Sequence, residues 1–161
     1  MREAPTGTIQ TVDGDLADAD AEQVLALWEQ SGALQGDDAR ARLPEVLCLL
    51  RSDDGAIAGA NWAFPDDVAL VGGRRFWMYQ SVLAAGLEEA GDAMIAHAFA
   101  ALERDFDPDA RGPVGVCVVV RDPAEMQRRP EVEWTDPRMV YAGYLPDGGQ
   151  VRVGYFAGAT I

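Results

Sequence analysis

Residues 74–120 read RRFWMYQSVLAAGLEEAGDAMIAHAFAALERDFDPDARGPVGVCVVV, and three different periodicities follow one another within them. From Arg74 to Ala85 the side chains alternate. Phe76, Met78, Gln80 and Val82 fall on one side, and Trp77, Tyr79, Ser81 and Leu83 on the other, as a strand requires. Gly86 to Gly91 is a loop. Asp92 to Arg104 is a helix, with Met94, Ile95, Ala98, Phe99 and Leu102 as its apolar stripe. Turn signals follow at Asp107-Pro108-Asp109 and Gly112-Pro113. Val114 to Val120 is then a continuous, largely β-branched run, the pattern of a central strand covered on both faces. Strand, helix and strand in this order make a βαβ unit.

Antiparallel signals flank that unit. On the N-terminal side, Thr8 to Val12 reads as a short strand and Asp13-Gly14 as a turn. Asp20 with Gln23 makes a capping-box pattern. The helix it predicts, Ala21 to Gln30, puts Val24, Leu27, Trp28 and Ser31 on one face and stops at Gly32. Asp37 to Leu43 is a second short helix, ended by Pro44. Val46 to Arg51 and Ala56 to Phe64 form a hairpin about Ser52-Asp53-Asp54-Gly55. Pro65-Asp66-Asp67 and Gly72-Gly73 bracket another short apolar piece. On the C-terminal side, Pro123 to Arg129 suits a short helix. Arg138 to Leu145 and Gln150 to Ala157 are strands joined by Pro146-Asp147-Gly148-Gly149. The order β-α-α-β-β-β-α-β-α-β-β predicts an α/β fold, a mixed, mostly antiparallel sheet flanked by helices, in one domain over residues 1–161.

The composition narrows the partners. Of the 161 residues, 27 are acidic and 13 basic, for a net charge of −14 and a pI near 4.2. Such a chain repels phosphate backbones and anionic lipid, which argues against nucleic acid and membrane surfaces and favours cationic amines. All basic residues are arginines, so no Schiff-base lysine exists. Cys48 and Cys117 sit in apolar runs, as free thiols of a reducing cytoplasm do. They lack the spacing of a zinc site, and Asp53-Asp54 and Asp66-Asp67 lack that of a calcium loop, so no metal is expected. No apolar run approaches the length of a membrane span.

The element order, read with the loop Glu88-Glu89-Ala90-Gly91-Asp92-Ala93, resembles the GNAT superfamily of acyl-CoA-dependent N-acyltransferases over nearly the whole chain. The family's loop has the form [RQ]-x-x-G-x-[GA]. The resemblance implies acetyl-CoA or another acyl thioester as cofactor. It implies backbone pairing of the pantetheine arm near Leu83 and Ala85, and loop amides around the pyrophosphate. Here Gly91 and Ala93 match. Glu88 replaces the leading Arg or Gln, and Glu89 and Asp92 add carboxylates whose sign opposes a diphosphate. Such acids also serve as ordinary helix-starting residues. The family's second landmark, N-x-x-A-x-x-x-Y, falls on Arg121-Asp122-Pro123-Ala124-Glu125-Met126-Gln127-Arg128. Alanine is kept, but Arg128 stands where the family's proton-donating tyrosine would be, and arginine donates no proton at neutral pH. Arg121, Arg128 and Arg129 either grip an anion or form a solvated face paired with Asp122, Glu125 and Glu131.

The resemblance implies a cleft between the fourth and fifth strands, so Tyr79, Ser81 and Glu125 are the candidates to polarise a water or position an amine. Cys117 is either a nucleophile in that gap or an inert buried thiol. His97, the sole histidine, has no Ser or Cys partner at a recognisable spacing. Trp28, Trp62, Phe64, Trp77 and Trp134 either wall a pocket or pack in the core. Two functions follow. One is transfer of an acyl group from a thioester to a small amine. The alternative is a protein of this fold that has lost CoA binding and serves as a small-molecule-binding protein or another enzyme of specialised metabolism. An acyl carrier protein is a further donor, because its pantetheine arm lacks the adenosine pyrophosphate. The resemblance implies that the terminal hairpin, with Tyr141, Tyr144, Val151, Val153, Tyr155 and Ile161, makes a homodimer contact or lines the acceptor site, the other reading of these residues being plain core.

Overall fold

The computed structural model describes residues 7–12 and 14–159, so Asp13 and Ile161 lie outside the described residues. The strands are β1 Gly7–Thr11, β2 Val46–Ser52, β3 Ile57–Val68, β4 Arg74–Leu83, β5 Gly115–Val120, β6 Glu133–Thr135, β7 Arg138–Tyr144 and β8 Gln150–Tyr155. The helices are α1 Asp18–Ser31, α2 Gly36–Arg42, α3 Gly91–Arg104 and α4 Pro123–Arg128. The strands form one sheet in the order β1-β2-β3-β4-β5-β8-β7-β6. Within it β4 and β5 are parallel, as the βαβ reading requires. The pairs β1–β2, β2–β3, β5–β8, β6–β7 and β7–β8 are antiparallel. No helix among the described residues is long and apolar enough to cross a membrane.

The chain divides into two compact units. The first takes the chain through Ala63 together with Gln80–Ala101, and the second takes Phe64–Tyr79 and the chain from Leu102 onward. The strands β3 and β4 each run from one unit into the other.

In the first unit the two faces of β2 and β3 have different cover. Val46, Leu49, Ala60 and Trp62 pack with Val24 and Trp28 of α1 and Ala39 of α2. Trp28 and Trp62 meet edge-on at 5.0 Å, so these two indoles interlock in the core and do not wall a pocket. Asn61, one residue along β3 and so on the opposite face, donates to the Met94 carbonyl of α3. The capping box is corrected. The helix α1 starts at Asp18 with Ala17 as its cap and no side-chain capping bond. Asp20 holds Arg51 at 2.8 Å, and Gln23 accepts the Ile57 N–H. These tertiary partners outcompete the local cap.

In the second unit Val68, Phe76, Cys117, Val151 and Val153 form the apolar cluster. Gly115 lets β5 approach β8, because a Cβ there would lie 2.0 Å from the Gly154 carbonyl oxygen. The strand β6 was missing from the sequence reading: three residues with one buried Trp134 carry no period.

Candidate functional site

The end of β4 and the loop after it lie in the first unit. Leu83 fills the space above two glycines. Its Cδ2 would be 2.6 Å from a Cβ on Gly59, and its Cδ1 3.5 Å from one on Gly91, the first residue of α3. The Ala84 N–H donates to Ala58 at 2.7 Å, which continues the pairing with β3 one residue past the strand. The backbone then tightens. Leu87 N–H donates to Ala84, Ala90 N–H to Leu87, and Gly91 N–H to Glu88, so Glu88–Ala90 forms a single 3₁₀ turn ahead of α3. The Glu88 carboxylate accepts the Gly86 N–H at 3.2 Å. Hydrogen bonds from its own N–H and from that of Gly86 hold this carboxyl below the usual carboxylate range. Within Ala84–Gly91, then, the amides of Ala84, Gly86, Leu87, Ala90 and Gly91 have acceptors inside the chain. Ala85, Glu88 and Glu89 are exposed, while Ala90 and Asp92 are half-buried and Ala93 is exposed.

Part of the backbone that the resemblance assigns to a diphosphate is thus engaged within the chain. A phosphate cradle needs inward N–H groups without partners. Here the Glu88 carboxylate takes that of Gly86, and main-chain carbonyls take those of Ala84, Leu87, Ala90 and Gly91.

The second landmark lies in the second unit. Arg121, just past β5, pairs with Asp147 of the β7–β8 turn at 3.2 Å. On α4, Arg128 pairs with Glu125 one turn earlier at 2.6 Å. Asp122 caps α4 by accepting the Ala124 N–H. Arg121 and Arg128 therefore each pair with a carboxylate, Arg121 with Asp147 and Arg128 with Glu125, while Arg129 lies over the Trp134 ring. Tyr79 is buried near the end of the β4 segment that pairs with β5, opposite Val118. Ser81, in the first unit, is exposed.

Burial pushes the Cys117 thiol up to about 12, so it stays protonated and inert at neutral pH. His97 is exposed, and its Nδ1 lies 2.8 Å from the Ala93 carbonyl one turn back along α3. No cluster of three or more His, Cys, Asp or Glu suited to a metal occurs among the described residues. The first unit also has an open cleft of about 420 Å³ lined by Leu34, Asp38, Ala41, Arg42 and Glu45.

One buried group escaped the sequence reading. Arg152 on β8 is 1 % exposed. It donates to the Gln150 side chain and to the main-chain carbonyls of Val132 and Arg129. Its guanidinium lies 4.3 Å from the Trp134 ring, which Arg129 also covers at 3.9 Å. The period-two alternation of Gln150 and Arg152 with Val151 and Val153 was the available signal, since it puts the two polar residues on the face away from the apolar cluster.

No protein-family model matches the sequence, and no curated protein does. Solved structures match the fold. The phosphinothricin acetyltransferase of Sinorhizobium meliloti, a GNAT protein in complex with acetyl-CoA, is 13% identical, with 96% of this chain and 91% of that one covered at a TM-score of 0.61. The GNAT-family N-acetyltransferase YhbS of Escherichia coli, in complex with CoA, is 15% identical over 98% of this chain and 85% of that one, at 0.60. Arabidopsis thaliana NAA60 with acetyl-CoA is 10% identical over 94% and 100%, at 0.57. The chain has the GNAT fold, as the element order predicted.

Proposed function

We propose that this chain is an acyltransferase that moves an acetyl or other acyl group from a thioester to a small amine. The observation that supports this is the likeness in fold across almost the full chain to proteins holding acetyl-CoA or CoA. The amine nitrogen attacks the thioester carbonyl carbon. The C–N bond forms, the C–S bond breaks, and the sulfur leaves with the proton that the amine gives up, yielding an amide and a free thiol. Ser81, exposed on β4, and Glu125, on α4, are the groups proposed to receive or relay that proton. Tyr79, buried at the end of its paired segment, is the group proposed to orient a water. The net charge of −14 favours a cationic acceptor, which must lose a proton before it attacks.

The test is incubation of the purified chain with S-acetyl-pantetheine or acetyl-CoA and a panel of primary amines, following free thiol and detecting the amide by mass. Amide that appears only with the protein supports the reading; no amide from any pair overturns it. In that case the alternative, a small-molecule-binding protein of this fold, is favoured by the loop amides already engaged within the chain.

A further inference from the structure

We infer that the buried guanidinium of Arg152 is the floor of a binding site for a small organic carboxylate with an apolar body. This goes beyond the acyl-transfer reading and needs neither thioester nor amine.

Neutral acceptors alone hold Arg152. Its Nε donates to the Gln150 amide oxygen at 2.9 Å, and its two terminal nitrogens donate to the Val132 and Arg129 carbonyls at 3.2 and 3.3 Å. A guanidinium has five N–H groups. One on each terminal nitrogen is therefore left without an acceptor among the described residues. Glu131 draws on the charge without bonding it, and Arg129 adds a second positive charge. A buried charge short of partners is costly, and open N–H groups on one planar fork are what a carboxylate accepts.

The surroundings supply a rim. Arg152 faces Tyr141 across the β7–β8 pair, and Gln150 faces Tyr144. The two tyrosines are three residues apart, so a regular strand would send them to opposite faces. The register shift between Tyr141 and Gly143 turns both onto the face of Arg152, where their rings meet at 5.4 Å. Val132 adjoins them, its carbonyl accepting the Tyr141 N–H. Tyr141, Tyr144 and Val132 are 37 %, 55 % and 70 % exposed, against 1 % for Arg152. Exposed apolar side chains thus surround a cation that water barely reaches. An aryl or alkyl body packs on that rim while its carboxylate takes the open N–H groups, once the exposed rings swing aside as surface side chains do. The net charge of −14 opposes any anion, but salt screens distant charges far more than a buried pair.

Calorimetric titration with benzoate, benzamide and inorganic phosphate at constant ionic strength tests the inference. The proteins are the wild type, Arg152→Met, Arg138→Met and Tyr144→Ala. The wild type should bind benzoate at least about tenfold more tightly than benzamide, its neutral analogue, or phosphate, an anion without an apolar body. Arg152→Met should lose at least about tenfold for benzoate. Arg138→Met removes the same charge from an exposed side chain of β7 and should match the wild type. Tyr144→Ala, at an exposed rim position, should lose about threefold, and it decides the matter if Arg152→Met does not fold. Absence of benzoate binding by the wild type overturns the inference and leaves the acyl-transfer reading standing. Benzamide bound as tightly as benzoate, or equal benzoate affinity in Arg152→Met, overturns it too. Phosphate bound as tightly as benzoate overturns the apolar rim, as does full benzoate affinity in Tyr144→Ala.

Discussion

The first compact unit buries the amide of Asn61 and the second the guanidinium of Arg152, beside Gln150, and the two are held in opposite ways. Asn61, in the first unit, uses both ends of a neutral amide. Its oxygen accepts the Cys48 N–H at 2.8 Å and its nitrogen donates to the Met94 carbonyl at 3.0 Å. The need for it arises in β2, where the register slips between Val46 and Cys48 and leaves that N–H without its regular partner on β3. Arg152, in the second unit, keeps a full charge inside. Its acceptors are one amide oxygen and two main-chain carbonyls, and an indole face supplies the rest. Burial and the neighbouring Arg129 both push its pKa down, while Glu131 and Tyr144 pull it up. An amide that completes a bulge is needed by its neighbours. A guanidinium among carbonyls is held by neighbours that have other partners: the Val132 oxygen also accepts the Tyr141 N–H, and the Arg129 oxygen the Trp134 Nε1–H.

The largest effect should come from emptying the space of Arg152. Arg152→Ala removes a long side chain that Trp134 and the 129–132 backbone enclose, and should cost about 4 kcal/mol, as large-to-small changes in cores do. Arg152→Met keeps most of the volume and sheds the charge. Because both carbonyls retain partners, it should stay within about 1.5 kcal/mol of the wild type, the range seen when buried charges give way to apolar groups. Urea unfolding of the two variants separates volume from charge. A loss as large for Met as for Ala would mean that the guanidinium bonds themselves carry the unit.

Asn61 should behave the other way, with chemistry outweighing volume. Asn61→Ala strands a buried N–H at the β2 bulge and should cost about 2–3 kcal/mol. Asn61→Leu fills the space yet leaves the same donor unmet, and should recover little of that loss. If Asn61→Leu restores wild-type stability in the same urea series, the contrast between the units collapses.

The order of elements was legible because it depends on period and punctuation, which are local. The alternation of Arg74–Leu83, the stripe of α3 and the β-branched run of β5 each survive folding almost unshifted. What the sequence hid is set by partners far along the chain. Asp20 looked like a cap because Gln23 follows it, yet Arg51, 31 residues away, takes it. Arg121 looked like part of a basic cluster, but the turn residue Asp147 neutralises it. Glu88 was visible as a departure from the family pattern. Its bond to Gly86 was not, since it depends on how the backbone turns after β4. The partners of these residues were therefore harder to read than the residues themselves.

The two cysteines repeat the contrast on a smaller scale and give it a pH dependence. Burial raises both thiols. For Cys48, in the first unit, hydrogen bonds with the Thr11 and Asn61 side chains pull back down. Cys117 has only the apolar cluster around it and is pushed from 9.0 to about 12. Between those two values the folded chain keeps a proton that the unfolded chain releases. The Cys117 contribution is therefore intact below pH 9 and is lost as pH rises toward 12. At pH 10.5 the loss should reach about 2 kcal/mol, from roughly 1.4 kcal/mol per pH unit. Tyrosines titrate in the same range, so the measurement is a difference. Urea midpoints of the wild type and Cys117→Val are compared at pH 7 and pH 10.5, and the variant should lose about 2 kcal/mol less. Equal losses would mean that the thiol is reached by water or by a polar partner at alkaline pH, and that the second unit's interior is no drier than the first's.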